Sequence, residues 1–578
     1  MFRVRWLGRV PYGEAHAVQR ALHDRGHDDH LLLLEHPHVF TLGAHADRAH
    51  VLVDPAVVGA ELVVSDRGGD VTYHGPGQLV GYPVVNVPTA PRSVPSHVHG
   101  IEQVVIDTVA ELGVTAGRLA GYPGVWVDAE GSAPRKICAI GVRVTRGRSM
   151  HGLALNVDPD MAWFDRIVPC GIQDKAVTSL AAEGVVVSMH EVADILVRHA
   201  VARWAPDGLF ERQDVAWPTH STAPRPTALR PTVPRPTALR PTVPAQSSPP
   251  DALADRVPGE RLRIRLRQAG VDPGAGLPGN TRKPPWLRVP VRMGDEFLGL
   301  RRTVRDLGLV TVCEEAGCPN IFECWADGTA TFMINGERCT RSCGFCLVDT
   351  RHPEPPDLDE PDRVAAAVER LDLAYAVVTA VARDDLPDGG AAGYAATIQA
   401  IRRRRPTTAV EVLIPDCKGD ASSLEVIFAA RPDVLNHNLE TVARLQRAVR
   451  PSAGYGRSLS VLARAKNAGL VTKSGMILGM GEDREEVVGA LADLRAVGVD
   501  IVTLGQYLRP TAAHLPVARW WTPEEFESLR AVGEEMGFAH VESSPLTRSS
   551  YHARGAAAAA AAAVASAAAG LTSTVVPA

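Results

Sequence analysis

The octapeptide "CTRSCGFC", residues 339–346, spaces three cysteines as C-x3-C-x2-C in a chain that holds nine cysteines among 578 residues. Just upstream, "CEEAGCPNIFEC" places Cys313, Cys318 and Cys324, so six thiols fall between residues 313 and 346. An odd total and such short spacings are poor for a disulfide framework and good for metal ligation by thiolates in a reducing compartment. Three thiolates can hold three irons of a cubane cluster and leave the fourth iron open to a substrate. A zinc site competes with this reading, although structural zinc normally takes four closed ligands in paired C-x2-C knuckles.

The sequence after the triad sets the fold around it. The strand-like runs "AYAVVTAVA", "AVEVLIP", "DVLNHN", "LVTKSGMIL" and "DIVTLGQYL" alternate with helix-like segments such as "GYAATIQAIRRR" and "REEVVGALADLRAVG". This alternation predicts an α/β domain whose parallel sheet closes partly or wholly into a β/α barrel, with chemistry at the C-terminal ends of its strands. Arg383, Asp384 and Asp385, then Asn436, His437 and Asn438, then Lys473 and Ser474 are expected to face that common mouth.

Working outward, the length and 45% apolar content predict at least two domains. A net charge of −5 gives no general reason to expect a nucleic-acid partner. The start "MFRVRWLGRV" lacks an apolar signal core, and no long apolar run occurs except near the alanine-rich end, so a soluble, cytoplasmic chain with no membrane partner is expected. Between the halves the composition turns to Pro, Thr, Arg, Ala and Ser, and "RPTALRPTVP" occurs twice in succession, at residues 225–234 and 235–244. Frequent proline excludes a helix or central strand and predicts a polyproline-like spacer able to hold its domains up to roughly 100 Å apart. The expected division is 1–215, a spacer at 216–254, a second domain at 255–553 and a low-complexity tail at 554–578. The tail, 13 of whose 25 residues are alanine, could form a frayed helix but offers no amphipathic face to dock.

The first half mixes strands ("HLLLLEH", "QLVGYPVVNV") with one clear helix, "HVHGIEQVVIDTVAEL", which predicts an α+β domain. Its "RGGDVTYHGPGQLVGYP", residues 67–83, surrounds Arg67, Tyr73 and His74 with glycine, as a backbone does that must approach a ligand closely. Two more elements accompany it, "RKICAIGVR" with Lys136 and "VPCGI" with Cys170. Only six of the 61 basic residues are lysine, the cation that can deprotonate and serve as base or acid. A cysteine beside such an ammonium would have its thiolate stabilised and act as a nucleophile; an exposed lysine and a buried, inert cysteine are the plainer alternative.

"CTRSCGFC" resembles the cluster motif of the radical S-adenosylmethionine enzymes. The upstream cysteines, with "VVTAVARDDLPDGGA", "EVLIPD", "NHNLETV", "TKSGMILGMGE", "GQYLRPTAAHLPV" and "RSSYHA", make residues 283–553 similar to the lipoyl synthases. The resemblance implies a partial (β/α) barrel of radical SAM type and two [4Fe-4S] clusters. Cys339, Cys343 and Cys346 would hold the cluster whose open iron chelates S-adenosyl-L-methionine and cleaves it reductively to a 5′-deoxyadenosyl radical. Cys313, Cys318, Cys324 and the hydroxyl of Ser549 would hold an auxiliary cluster, consumed as its sulfides pass to C6 and C8 of a protein-bound octanoyl chain. Serine is a hard, weak ligand for iron, which suits an iron that must let go. The family's usual "SGPLVRSSY" stands here as "SSPLTRSSY", with Ser544 and Thr547. Cys417, without a spaced partner, is expected to be a packing residue.

Residues 1–210 resemble the octanoyl-[acyl-carrier-protein]:protein octanoyltransferases, of biotin/lipoate ligase-like fold. That resemblance implies a Cys170 thioester, with Lys136 lowering its pKa and shuttling protons. It implies an acyl pocket lined by Arg67, Gly68, Gly69, Asp70, Val71, Thr72, Tyr73 and His74, by Ala139, Ile140 and Gly141, and by Gly152, Leu153 and Ala154. Cys138 replaces the usual alanine of "RKIAAIGV". The partners implied are octanoyl-acyl carrier protein, the lipoyl domains of 2-oxoacid dehydrogenase E2 subunits and of glycine cleavage H protein, and an electron donor such as flavodoxin or ferredoxin. Together the halves read as a fused enzyme of lipoate biosynthesis, in which a flexible linker raises the local concentration of one site near the other. An ATP-dependent lipoate ligase for the first half, and an iron–sulfur carrier or scaffold for the second, are the alternatives.

Overall fold

A computed structural model describes residues 1–90, 92–171, 175–217, 259–279, 281–288, 302, 306–311, 320–326 and 328–572; the side chains of residues 170, 310, 322, 325, 326 and 564–572 fall outside that description. The expected spacer lies outside the described residues except for Ala216 and Trp217, and so do Cys313 and Cys318.

In the first half, the apolar run of residues 31–34 becomes β2 (Asp29–Glu35), a buried strand of a nine-stranded sheet. The order is β12 (Phe210–Asp214), β1 (Phe2–Arg9), β2, β6 (Gln78–Val84), β10 (Arg148–Asn156), β9 (Arg135–Thr145), β8 (Tyr122–Val127) and β7 (Ala116–Leu119), with β11 (Ala176–Val177) beside β9. A three-stranded sheet of β4 (Glu61–Val64), β3 (Val39–Leu42) and β5 (Val71–His74) has its own core, where Tyr73 stacks on Trp163 with ring centroids 5.3 Å apart. Helices α1 (Tyr12–Arg25), α2 (Ser93–Glu111) and α3 (Met189–Trp204) complete the α+β arrangement.

The second half is an eight-stranded ladder in sequence order. It runs β13 (Val310–Thr311), β14 (Thr329–Ile334), β15 (Tyr375–Ala380), β16 (Ala409–Leu413), β17 (Val434–Asn436), β18 (Val471–Leu478), β19 (Ile501–Gln506) and β20 (His540–Ser543). All pairings from β14 to β20 are parallel, and β13 is antiparallel to β14. The described ladder does not close on itself, so the barrel is partial. Helices α4 (Glu260–Gln268) and α5 (Ile321–Ala326) come first; α6 (Glu360–Arg370), α7 (Ala391–Arg404), α8 (Ala421–Ala429), the pair α9 (Gln446–Val449) and α10 (Tyr455–Asn467), α11 (Arg484–Ala496) and α12 (Pro523–Glu535) alternate with strands. Capping boxes start α11 (Asp483, Glu486) and α12 (Thr522, Glu525), each satisfying two otherwise orphaned backbone donors.

Two expectations are corrected. The alanine-rich tail does dock: it forms α13 (Ala553–Thr572), whose Ala553, Ala556 and Ala560 are buried against Tyr375, Val377, Val434 and Ile501 of the strands. Small side chains let the helix approach the strands closely, which an amphipathicity argument does not register. Nor are the halves held apart by a spacer: α1 packs on α10, and β12 on α11. Gly456 of α10 faces Leu7 and Val10, and a Cβ on Gly489 of α11 would overlap Gln213 and Glu211. Arg5, almost fully buried, donates from Nε to both carboxylate oxygens of Asp493 at 3.0 and 2.8 Å, and the Tyr455 hydroxyl donates to the same carboxylate at 2.8 Å. Burial opposes the charge on Arg5, but Asp493 and Glu211 more than offset it and raise its pKa.

Candidate functional site

In the first half, the glycine-rich strap of residues 67–74 lies over β9 and β10. A cleft of about 460 Å³, open solvent included, separates them; Arg67, Gly68, Gly69, Asp70, Thr72 and His74 form one wall, and residues 139–141 and 152–154 the other. Val71 and Tyr73 do not reach it. Successive residues of a strand point to opposite faces, and these two enter the core of the small sheet. Gly69 sits at φ +92°, where a side chain would be strained, and a Cβ on Gly141 would come within 2.9 Å of the Gly68 carbonyl oxygen. Glycine at these points permits the close approach of strap and sheet.

Arg67 is itself held: its Nε and Nη2 donate to Thr41 Oγ1 at 3.2 and 2.9 Å, and Nη2 donates to the Thr41 carbonyl at 2.7 Å. Gln78 donates through Nε2 to Asn156 Oδ1 at 2.9 Å, so its oxygen accepts from His74 Nδ1 at 2.8 Å. This fixes the tautomer that carries its proton on Nδ1. Burial pushes His74 well below the usual histidine range, so its Nε2 is an unprotonated acceptor at neutral pH.

Sequence reasoning missed Tyr12, Tyr82 and His151, which also line the cleft. His151, at φ +60°, accepts no glycine-like exemption and is held by its Nε2 contact with Asp66 Oδ1 at 2.8 Å, a carboxylate that His16 also meets at 3.2 Å. The hydrogen bond from His151 holds the Asp66 carboxyl well below the usual range. A histidine in an alternating strand pattern gives no signal of this pairing, because Asp66 and His16 lie far away in sequence.

Lys136 is buried on β9, with Nζ 4.8 Å from the Trp126 ring centroid. Cys170 lies in the 3-10 turn Pro169–Gly171, its side chain outside the described residues. The turn is fastened beside the strap, since the Val168 N–H donates to the His50 carbonyl at 2.8 Å and His50 Nδ1 meets Asp70 Oδ2 at 2.6 Å. Beyond it, Val177 pairs with Lys136, which brings the chain after Cys170 to the lysine's own strand. Cys138 is buried in the main core, and burial pushes its thiol up to about 12, as befits a packing residue.

In the second half, Cys339, Cys343 and Cys346 are unpaired thiols on one loop beyond the C-terminal end of β14. That loop is fastened on three sides: Cys339 N–H to the Asp349 carbonyl at 2.8 Å, Thr340 N–H to Ala382 at 3.0 Å, and Gly344 N–H to Val449 at 2.9 Å. Between the first two cysteines, Arg341 makes a two-toothed ion pair with Asp384 at 2.7 and 2.8 Å and reaches Asp416 at 2.6 Å. Three soft donors on a single tethered loop fit three irons of a cubane and leave one open.

Cys324 of α5 lies near the residues that follow Ser549, although Ser549 itself does not line the depression between them. Cys324 borders that depression with Ser550, Tyr551 and His552, and Tyr551 donates to Glu323 Oε2 at 3.1 Å. Ser549 Oγ accepts from Asn438 Nδ2 at 2.8 Å, and Asn438 also donates to Glu440 Oε1 at 3.0 Å. The departure at Ser544 and Thr547 closes its own turn, hydroxyl to hydroxyl at 2.8 Å. Cys417 is buried, and burial pushes its thiol up to about 12.

The expected mouth is corrected at several residues. Asp384 and Asn438 stand there, but Lys473 and Ser474 do not, because β18 continues to Leu478. Lys473 is instead fully buried within the ladder, donating to Glu411 Oε1 and Oε2 at 3.0 and 3.2 Å, with Tyr375 and Asn436 on the same carboxylate. His437 is likewise internal, bonded to the Ile414 carbonyl and to Ser458.

Both halves of the chain are similar to known proteins. Residues 11–201 match the Lipoyl protein ligase A/B catalytic domain, residues 276–318 the N-terminal domain of lipoyl synthase, and residues 333–494 the Radical SAM superfamily. The lipoyl synthase of Rubrobacter xylanophilus is 58% identical over 273 residues, 47% of this chain and 85% of that protein. That of Mycolicibacterium paratuberculosis is 57% identical over 293 residues, 51% of this chain and 92% of that protein. A bi-partite lipoate protein ligase from Thermoplasma acidophilum shares 18% identity, with a TM-score of 0.32 over 37% of this chain and 86% of its own. Among the described residues no helix is long and apolar enough to cross a membrane. Its N-terminal half matches the lipoyl protein ligase A/B catalytic domain, and through its C-terminal half this chain belongs to the lipoyl synthase family of radical SAM proteins, which use S-adenosylmethionine and iron–sulfur clusters.

Proposed function

We propose that this chain carries out two consecutive steps on one lipoyl carrier domain: octanoyl transfer, then insertion of two sulfur atoms at C6 and C8. The observation that carries the reading is the single tethered loop bearing Cys339, Cys343 and Cys346, in the half where Cys324 borders a depression with Ser550, the residue after Ser549. Cys313 and Cys318 complete the auxiliary set in this proposal. The clusters, when bound, would supply reductive cleavage of S-adenosylmethionine and the inserted sulfur.

In the first step the Cys170 thiolate attacks the thioester of octanoyl-acyl carrier protein, and the carrier leaves as its thiol. The lysine amine of the lipoyl domain then attacks the Cys170 thioester and forms the amide. Lys136, as a buried cation on β9, favours the thiolate and carries the proton between leaving and entering groups. The octanoyl chain lies in the cleft between the strap and β9–β10, against Ile140, Leu153 and Ala154. The lipoyl domains of E2 subunits and of H protein are the acceptors, a flavodoxin or ferredoxin supplies electrons, and the thiol-rich sites suit the reducing cytoplasm.

The test combines anaerobically reconstituted protein with octanoyl-acyl carrier protein, an apo lipoyl domain, S-adenosylmethionine and dithionite, and reads the lipoyl domain by intact mass. An octanoyl adduct that converts to a lipoyl adduct is expected. The matched catalytic family also takes in ligases, and they are separated by one comparison: octanoylation that requires ATP and free octanoate and survives Cys170→Ala overturns the transferase reading.

A further inference from the structure

Helix α1 serves two neighbourhoods. On one face Tyr12 lines the acyl cleft and His16 meets Asp66. On another, Glu14 leaves its own half and seats in the barrel half over Gly419, where any Cβ would overlap its Oε1. There the buried carboxylate accepts from Arg457 Nε of α10 at 2.8 Å. Arg457 Nη1 in turn stands 3.9 Å from Oδ2 of Asp416, an oxygen without a hydrogen-bond donor. The other oxygen of Asp416 accepts from Arg341 at 2.6 Å, and Arg341 sits between Cys339 and Cys343, where its backbone N–H donates to Cys339 Sγ at 3.4 Å. The chain of charges therefore runs Glu14, Arg457, Asp416, Arg341, Asp384, alternating in sign from one half to the thiol loop of the other.

We infer that Glu14 is a positioning residue for the thiol loop, acting by keeping Arg457 off Asp416. Asp416 is fully buried between two arginines and has one oxygen to spare. While Glu14 holds Arg457, Asp416 belongs to Arg341. Without the Glu14 charge the nearest carboxylate to Arg457 is Asp416, and a charge-assisted bond there would draw that carboxylate away from Arg341. The ligase-like half is then part of what shapes the radical SAM site. This goes beyond the activity proposed above and rests on that reading only for its second readout.

The test uses the full chain. Hydrogen exchange is measured without clusters in the parent, in Glu14→Gln, in the double variant Glu14→Gln with Arg457→Gln, and in Arg25→Ala, which removes an interface contact with Asn467 outside the charge chain. Coupling of this kind is worth about 2- to 30-fold. Glu14→Gln is expected to speed exchange at residues 339–346 by that factor, Arg25→Ala to leave it at the parental rate, and the double variant to return it toward parental, since the competitor for Asp416 is gone. In cluster-loaded protein, S-adenosylmethionine titrated against the cluster's electron paramagnetic resonance signal should show weaker binding by a similar factor in Glu14→Gln alone. Parental exchange at 339–346 in Glu14→Gln overturns the inference, as does a double variant at least as loose as the single one, for then Glu14 only packs the halves together. If the parent's signal does not respond to S-adenosylmethionine, the radical SAM reading fails, and the exchange comparison still decides the role of Glu14.

Discussion

Replacing Asp493 by asparagine tests how the two halves hold together. The side chains of Arg5 and Asp493 are 2% and 4% exposed, and the carboxylate receives the Arg5 guanidinium and the Tyr455 hydroxyl together. Breaking such a pair leaves a buried charge, at a cost of about 3–5 kcal/mol. Glu211 remains 3.2 Å from Arg5 Nη2 and is 25% exposed, so it can recover about 1 kcal/mol as a partly solvated pair. About 2–4 kcal/mol is left, or about 30- to 700-fold in the dissociation constant of the halves at about 1.4 kcal/mol per tenfold. The assay places a protease site within residues 218–258, cuts after folding, and follows dissociation of the nicked chain on dilution by size exclusion. The parental halves should stay together and the Asp493→Asn halves separate at far higher concentration. A change under about 3-fold would refute the reasoning, as would parental halves that separate on cleavage, since tethering rather than contact would then hold them.

Lys136→Met should lower octanoyl transfer by about 10²–10⁴-fold, the range of a lost acid–base group, measured by single-turnover mass spectrometry, whereas Cys138→Ala should retain transfer because that sulfur is a core atom. Burial lowers His36 and His437 from about 6.5 to about 4, so between those values the unfolded chain binds more protons than the folded one. Stability therefore falls as pH drops below about 6.5, by ~2 kcal/mol per histidine at pH 5, and the urea midpoint should be lower at pH 5 than at pH 7.5. Ala560→Asp puts a charge against Val434 and Ile501, so α13 should undock and the tail should become cleavable in limited proteolysis at concentrations that spare the parent.

The parts that were legible in the sequence are those where a local pattern has one physical solution. Apolar runs alternating with helical segments gave a parallel ladder, and glycines around Arg67 and His74 gave a strap that lies close to a sheet. Period-two alternation would even have removed Val71 and Tyr73 from the cleft, had β5 been recognised as a strand. Depth along a strand was harder. "LVTKSGMIL" reads equally well with Lys473 at its end or in its interior, and what decides is Glu411, sixty-two residues earlier, whose carboxylate makes burial of the ammonium tolerable.

Docking of the halves and of α13 was illegible for a different reason. Both depend on what side chains leave vacant: Gly489 beneath Gln213, alanines along the strands. Hydrophobic patterning registers groups that must be hidden, and glycine and alanine carry too little apolar surface to register, yet close approach lets neighbouring residues bury theirs. The same vacancy argument applies at Gly419, whose missing side chain admits Glu14. A residue of the ligase-like half thereby holds Arg457, whose Nη1 stands 3.9 Å from the Asp416 carboxylate that also holds the loop of Cys339 and Cys343. A fusion joined only by a proline-rich tether would need no such opening; one whose halves share an ion chain does, and that ties the two sites by packing as well as by peptide bonds.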